Sequence, residues 1–188
     1  MLPSTALTLS PATLRHRVSI GVLLVLALLQ GCAHDRRTIG SMVDDSAVEL
    51  KATGLLTTDP TYKDAHVNVT SVNGILLLSG EAPTGEVRDS LLANIRNIPS
   101  IRRIVNEVRV APPSTFSQRS RDAWITSKVK SRLIGTRGLH ASRVTVVTEN
   151  TSVFLMGLVT QQEGELATNA ATNVSGIERV VKLFEYVD

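Results

Sequence analysis

The sequence has a single cysteine, few aromatic side chains and little net charge. Because Cys32 stands alone among 188 residues, no internal disulfide can form. Aromatic residues make up 3% of the chain, so aliphatic side chains must fill any core. The formal net charge of +3 is small, and it gives no reason to expect nucleic acid as a partner. These absences leave a globular protein of one or two domains without a disulfide framework.

No arrangement of residues predicts a catalytic or metal site. The four histidines are not spaced with another His, Cys or Glu as a metal site requires, and no serine occupies a nucleophile elbow. Asp44 and Asp45 lie near a predicted helix start, where carboxylates cap free N–H groups, and we interpret them in that way. We expect a protein that is not an enzyme and that uses no metal or dissociable cofactor.

Residues 1–31 have the features of an export signal. Arg15 and Arg17 precede an apolar run of twelve residues, VSIGVLLVLALL, which is too short to span a bilayer comfortably. The run leads into Leu29-Gln30-Gly31-Cys32, which resembles a bacterial lipobox, although Gln30 is less usual than a small residue. Removal of this signal would leave a mature chain with a net charge near +1.

Cys32 is the predicted attachment point for lipid. A lone cysteine can also be a spare buried thiol, but its place directly after the apolar run favours lipidation. The resemblance implies a thioether-linked diacylglycerol and an N-acyl chain on Cys32, which anchor a protein firmly. Ala33 stands where an aspartate usually retains lipoproteins in the inner membrane, so we expect the outer membrane, facing the periplasm. Residues 32–43 would form a polar tether.

The rest of the chain repeats itself. VNVTSVNGILLLSG (67–80) aligns without gaps to VTVVTENTSVFLMG (144–157), at an offset of 77 residues. Each copy reads as a helix, two strands joined by a hairpin at Asn73-Gly74 or Asn150-Thr151, a second helix and a last strand. The second strands are nearly continuous in apolar residues, so both of their faces should be covered. Gly80 and Gly157 lie outside any glycine-rich loop and suit a turn or close packing better than phosphate binding.

The fold class expected is α+β, with two tandem domains of order α-β-β-α-β. Each would hold a three-stranded mixed sheet, covered on one face by two helices. We place the first domain at residues 44–110, a linker at 111–118 and the second domain at 119–188.

Several stretches give this pattern a family resemblance. The hairpins that end in Gly80 or Gly157, the closing strands IRRIV (101–105) and IERVV (177–181), and DAWITSKVKSRL (122–133) resemble the BON domain. Two such domains behind a lipobox resemble the dual-BON outer-membrane lipoproteins. In that family the second domain is associated with anionic phospholipid, and the protein with division sites and outer-membrane integrity.

The sole tryptophan marks the candidate site. On a helical projection Ile125, Val129 and Leu133 share one stripe, whereas Trp124 lies off that stripe among cations. Residues 119–143 carry a net charge of +6, and residues 44–110 carry −2. Tryptophan and cations together suit an anionic membrane surface, such as phosphatidylglycerol or cardiolipin. The candidate phospholipid-binding residues are Trp124, Arg121, Lys128, Arg132, Ser127 and Ser131.

Two other interpretations of these residues stay open at this stage. Trp124 could pack against the other domain or against Phe116, and a basic helix face could simply be solvated. The second candidate function is that of a protein–protein adaptor, in which the edge strands or the more acidic first domain contact outer-membrane assembly machinery or regulators of cell-wall amidases.

Overall fold

The computed structural model describes residues 35–187, which include two copies of one element order. Short 3₁₀ turns lie at Pro60–Tyr62 and Ala141–Arg143. The first copy contains α1 (Ile39–Thr58), β1 (His66–Val72), β2 (Ile75–Ala82), α2 (Gly85–Ile95) and β3 (Arg103–Val110). The second contains α3 (Phe116–Ile134), β4 (Thr145–Glu149), β5 (Ser152–Val159), α4 (Gln161–Thr172) and β6 (Arg179–Tyr186). The predicted α+β fold with two repeated units is confirmed. Cys32 and the predicted signal lie outside the described residues.

The first helix of each copy begins earlier than the apolar stripe suggests. Thr38 accepts the backbone N–H of Ser41 and caps α1, so residues 39–43, assigned to the tether from sequence, are helical. Thr115 and Gln118 form a capping box at α3, so residues 116–118 of the predicted linker are helical as well. The apolar stripe marks only the part of each helix that packs on the core. The polar caps begin each helix before that part.

Each copy folds around a three-stranded mixed sheet. The orders are β1-β2-β3 and β4-β5-β6. The outer hairpin strand runs antiparallel to the central strand, and the last strand runs parallel to it. The parallel pairs require a crossover, which α2 and α4 supply.

The central strands β2 and β5 are covered on both faces, as their continuous apolar sequences predict. Leu76 and Leu78 face the helices of the first copy, whereas Leu77 packs in a separate cluster with Phe154 and Met156 of β5. That cluster joins the two sheets face to face. The described residues therefore stack as four layers, helices, sheet, sheet, helices, and α1 and α3 lie in opposite outer layers.

Matching hydrogen bonds at the two hairpin turns also join the copies. The Asn73 side-chain amide donates to Glu185 Oε2 over 2.6 Å, and the Asn150 amide donates to Glu81 Oε1 over 2.6 Å. Asn73 and Asn150 are equivalent residues of the repeat, so each copy sends the same turn residue to a carboxylate of the other. This reciprocal pairing ties each hairpin turn to the other copy.

Asp45 has a different role from the helix cap predicted for it. It lies inside α1, where its buried carboxylate accepts the backbone N–H groups of Asn73 and Gly74 over 2.7 and 2.9 Å. Ser71 donates a further bond of 2.7 Å. Both turn residues have positive φ, which leaves their N–H groups pointing away from the strand ladder. Asp45 therefore ties the helix to the hairpin.

Gly80 and Gly157 are needed because neighbouring backbone lies very close to them. A Cβ atom at Gly80 would lie 2.0 Å from the carbonyl oxygen of His66, and one at Gly157 would lie 2.1 Å from that of Arg143. The expectation of close packing is confirmed. Both glycines lie within strands rather than at strand ends.

Candidate functional site

Helix α3 carries the candidate site on the outer layer of the second copy. Its inner stripe, Ile125, Val129 and Leu133, is at most 1% exposed and holds the helix on the sheet. Because successive residues turn by about 100°, the same stripe sends Trp124 and Lys128 toward the solvent. The packing of its core side thus sets the direction in which Trp124 and Lys128 point.

Trp124 is half exposed and lies under a cation. The residue is 50% exposed, and Lys128 Nζ lies 5.2 Å from the centroid of its ring. Such a cation–π contact at an exposed site contributes about 0.5–1 kcal/mol. Phe116 is 79% exposed, so it buries too little surface to shield the indole. The geometry disfavours both packing interpretations of Trp124 and leaves the indole available to a ligand.

A groove of about 830 Å³ opens beside this pair. It is lined by Trp124, Lys128, Ser131, Arg132, Gly135, Thr136, Asn173, Val174 and Ser175. These nine residues include two cations, hydroxyl groups and an amide, and no carboxylate. A phosphate or another anion would find donors from both sides of the groove.

Four of the six predicted phospholipid-binding residues line this groove. Arg121 instead lines a neighbouring cleft with Arg109 and Glu178. The exposed Ser127 lies outside both linings, and its hydroxyl donates to the Ala123 carbonyl oxygen over 3.0 Å.

The far wall of the groove was missed from the sequence. Asn173, Val174 and Ser175 follow the end of α4, about forty residues after Arg132 along the chain. They reach the groove because Gly176 approaches Arg121 and Ile125 near the middle of α3. No local pattern in the sequence signals this contact, since it depends on how the two helices pack.

The one acidic residue of α3 is turned away from this surface. Asp122 is buried, and its two carboxylate oxygens accept the backbone N–H groups of Asn150 and Thr151, each over 2.9 Å. Its charge is therefore engaged by the hairpin, as that of Asp45 is in the first copy. The outer face of α3 is left with lysine and arginine.

Among residues 35–187, no group of three His, Cys, Asp or Glu side chains could hold a metal ion. Within the same range, no helix combines the length and apolar character needed to cross a bilayer. The groove beside Trp124 is the candidate site, and the cations, hydroxyl groups and amide of its lining suit the binding of an anion.

Comparison with known proteins agrees with the repeat. The BON domain model matches residues 44–112 and again residues 121–188. Outer membrane lipoprotein DolP of Haemophilus influenzae is 36% identical over 157 residues, which cover 83% of this chain and 81% of DolP. The 21 kDa hemolysin of Actinobacillus pleuropneumoniae is 35% identical over 154 residues, which cover 81% of this chain and 79% of the hemolysin.

A solved structure shares a weak likeness with this chain. It is the C-terminal domain of CdsD, a structural protein of the type III secretion system of Chlamydia trachomatis. The TM-score is 0.31 with 17% identity, covering 77% of this chain and 67% of that one. The two family matches and the extended identity with DolP are decisive: the chain belongs to the BON-domain family, as a DolP-like protein with two BON domains in tandem.

Proposed function

We propose that this protein is an outer-membrane lipoprotein whose second BON domain binds anionic phospholipid. The observation that carries the proposal is the half-exposed indole of Trp124, held under Lys128 at the rim of a groove that has cations and no carboxylate. An indole at the headgroup level places its ring against acyl carbon and keeps its N–H hydrated. Lysine and arginine beside it attract phosphatidylglycerol or cardiolipin.

The names of the relatives support an outer-membrane location for this binding activity. DolP is named as an outer membrane lipoprotein, and the other relative is named as a hemolysin. Neither name describes an enzyme. We infer that acyl chains on Cys32 anchor the chain in the outer membrane, facing the periplasm. The second domain then enriches the protein at the division site, where it supports envelope integrity without catalysis.

The test compares equivalent positions of the two domains. Trp124→Glu should abolish binding to phosphatidylglycerol vesicles while leaving the circular dichroism spectrum unchanged. Ala47→Glu is the matched control, because Ala47 is the equivalent exposed residue of the first domain. Free glycerol phosphate separates recognition of the headgroup alone from recognition of a lipid surface. Retained vesicle binding by Trp124→Glu would overturn the proposal.

A second candidate function rests on the exposed apolar side chains of α1. Val43 and Leu50 are 62% and 75% exposed on the first domain, which has a net charge of −2 over residues 44–110. Such a surface suits an adaptor that contacts outer-membrane assembly machinery or a regulator of cell-wall amidases. Photo-crosslinking in living cells from Leu50 and Lys63 tests this function. A specific adduct with one of those proteins, together with full activity of Trp124→Glu in cells, would favour the adaptor.

A further inference from the structure

Two exposed isoleucines stand at helix ends in different domains. Ile39, the first residue of α1, is 83% exposed, and Ile134, the last residue of α3, is 76% exposed. Neither belongs to the groove beside Trp124. The helices α1 and α3 lie in opposite outer layers. The start of α1 and the end of α3 nevertheless lie toward one edge of the molecule, as the following contacts indicate.

An ion pair holds the start of α1 at the second domain. Arg36 Nη1 lies 3.4 Å from Glu163 Oε2, and Glu163 also accepts a hydrogen bond from Arg143. Burial raises the pKa of Glu163, but the Thr160 backbone N–H, Arg143 and Arg36 together lower it below the usual range. The carboxylate is therefore ionised at neutral pH. Arg36 lies three residues before Ile39. The Arg36–Glu163 ion pair therefore fixes the position of the exposed isoleucine relative to the second domain.

The end of α3 reaches the same neighbourhood. Ile134 lines an apolar groove of about 370 Å³ with Ala141, Ser142 and Val144, and Lys130 lies at the same groove. Val144 directly follows Arg143, the second cation on Glu163. Ile134 is thus connected, through the groove it shares with residues 142 and 144 and through the two ion pairs of Glu163, to Arg36 and the start of α1.

The predicted lipid anchor identifies what this edge meets. Arg36 follows Cys32 by four positions, so an extended chain between them spans at most about 14 Å. A bilayer that holds acyl chains on Cys32 therefore lies within reach of the edge. An exposed isoleucine with Lys130 at the same groove matches the interface of such a bilayer, where apolar side chains enter and cations meet phosphate.

We propose that Ile39 and Ile134 form one membrane-contact edge shared by both domains, and that its partner is the phospholipid bilayer that anchors Cys32. The inference rests on the proposed function for the anchor and for the lipid class. It adds the first domain to the membrane surface and gives Arg36 and Glu163 the role of positioning residues. On this arrangement Leu50, on the same helix, points to solvent away from the bilayer.

Two aspartate substitutions on one helix test the edge. The chain from Cys32 onward, without acylation, is titrated with vesicles of phosphatidylethanolamine and phosphatidylglycerol. Ile39→Asp should weaken binding about tenfold, because an apolar contact is replaced by a charge. Leu50→Asp should change it less than about twofold, since Leu50 lies roughly 16 Å further along the helix. Equal losses, or no loss from Ile39→Asp, would overturn the proposal. An aspartate in the first helical turn favours the helix dipole, so loss of fold is not expected.

The same titration separates this inference from the proposed function. If Trp124→Glu loses binding and Ile39→Asp does not, the shared edge is wrong and the groove stands. If Ile39→Asp loses binding and Trp124→Glu does not, the edge stands and the groove is wrong. Binding that withstands both substitutions overturns both ideas.

A spin label on Cys32, the sole cysteine, measures the positioning by Arg36 directly. It should broaden the NMR signals of amides around Glu163 and residues 142–144 in the unacylated chain. Arg36→Ala should remove that broadening, whereas Lys51→Ala should leave it intact. Broadening that is confined to α1 in the unsubstituted chain would show that the tether is not held at the second domain.

Discussion

Asp122 accepts the backbone N–H group of Thr151 over 2.9 Å, so helix α3 is tied through a buried carboxylate to the hairpin of its own domain. Asp45 makes the equivalent bonds to Asn73 and Gly74 in the first domain. The repeat thus preserves a link between helix and turn, in addition to a pattern of apolar residues. This link sets the rotation of α3 and therefore the direction of Trp124.

Replacement of Asp122 by alanine should destabilise the protein markedly. It leaves two N–H groups of the turn without their acceptor, which costs about 2–4 kcal/mol of unfolding free energy. Urea denaturation followed by circular dichroism measures the loss. Asp45→Ala should cost at least as much, because it breaks the equivalent pair of bonds and also the bond from Ser71. A loss below about 0.5 kcal/mol in both variants would contradict the role assigned to these carboxylates.

Thr151→Gly should stabilise the second domain. Thr151 has a φ of 61°, a conformation that β-branched residues rarely adopt, whereas the first domain places Gly74 with a φ of 74° at the equivalent position. Relief of the left-handed strain is worth about 1–2 kcal/mol per residue. Two losses offset part of that gain: the hydroxyl bond to the Asn150 carbonyl oxygen disappears, and glycine gives the unfolded chain more conformational entropy.

A rise of about 0.5–1 kcal/mol in unfolding free energy is therefore expected for Thr151→Gly. The reverse change, Gly74→Thr, should lower stability by a larger amount, because the threonine would also crowd Arg102 and the Ser100 carbonyl. Thermal melts of the two variants and of the parent chain show whether each substitution raises or lowers stability. A lower melting temperature for Thr151→Gly would show that the threonine hydroxyl outweighs the strain.

The degree to which these features follow from the sequence differs from residue to residue. Apolar periodicity and the repeat predict the elements, and they also predict that Trp124 lies outside the core stripe. Asp45 was misinterpreted because a carboxylate near a helix start has an obvious local role, whereas its true partner Asn73 lies 28 residues away. Asn173 and Ser175 were missed because helix packing alone brings them to the groove. The continuous apolar run of β2 shows that both faces are covered without showing what covers them.

Glu149 should make stability depend on pH. Burial raises its pKa, a bond from Asn68 lowers it, and Glu81 and Asp122 raise it further, with a net raised value. The folded protein therefore holds a proton more tightly than the unfolded chain does. Stability contributed by this group is present below the ordinary glutamate pKa and is lost as pH rises through the raised value.

Glu149→Gln removes the cost of an ionised buried carboxylate while keeping an oxygen for Asn68. Its melting temperature should exceed that of the parent at neutral pH, and the difference should shrink as the pH is lowered toward the ordinary glutamate range. Melting curves recorded across that pH range show the sign of the difference in melting temperature. A glutamine variant that is less stable than the parent at neutral pH would show that the ionised carboxylate favours the domain interface.

The cations beside Trp124 should control the salt dependence of lipid binding. A lysine or arginine near an anionic surface contributes about 1 kcal/mol, so Lys128→Ala and Arg132→Ala should each weaken binding to phosphatidylglycerol vesicles about fivefold at low salt. Lys51→Ala is the matched control, because Lys51 is the exposed equivalent of Lys128 in the first domain and has no tryptophan beside it. Added salt should narrow the difference in affinity between these lysine and arginine variants and the parent, since screening acts over about 10 Å at 0.1 M ionic strength.

Trp124→Ala should instead weaken binding by a factor that salt changes little, because the indole enters through its apolar surface. If all four variants respond to salt alike, the charge and the ring do not act at one surface, and the groove is not where the headgroup lies.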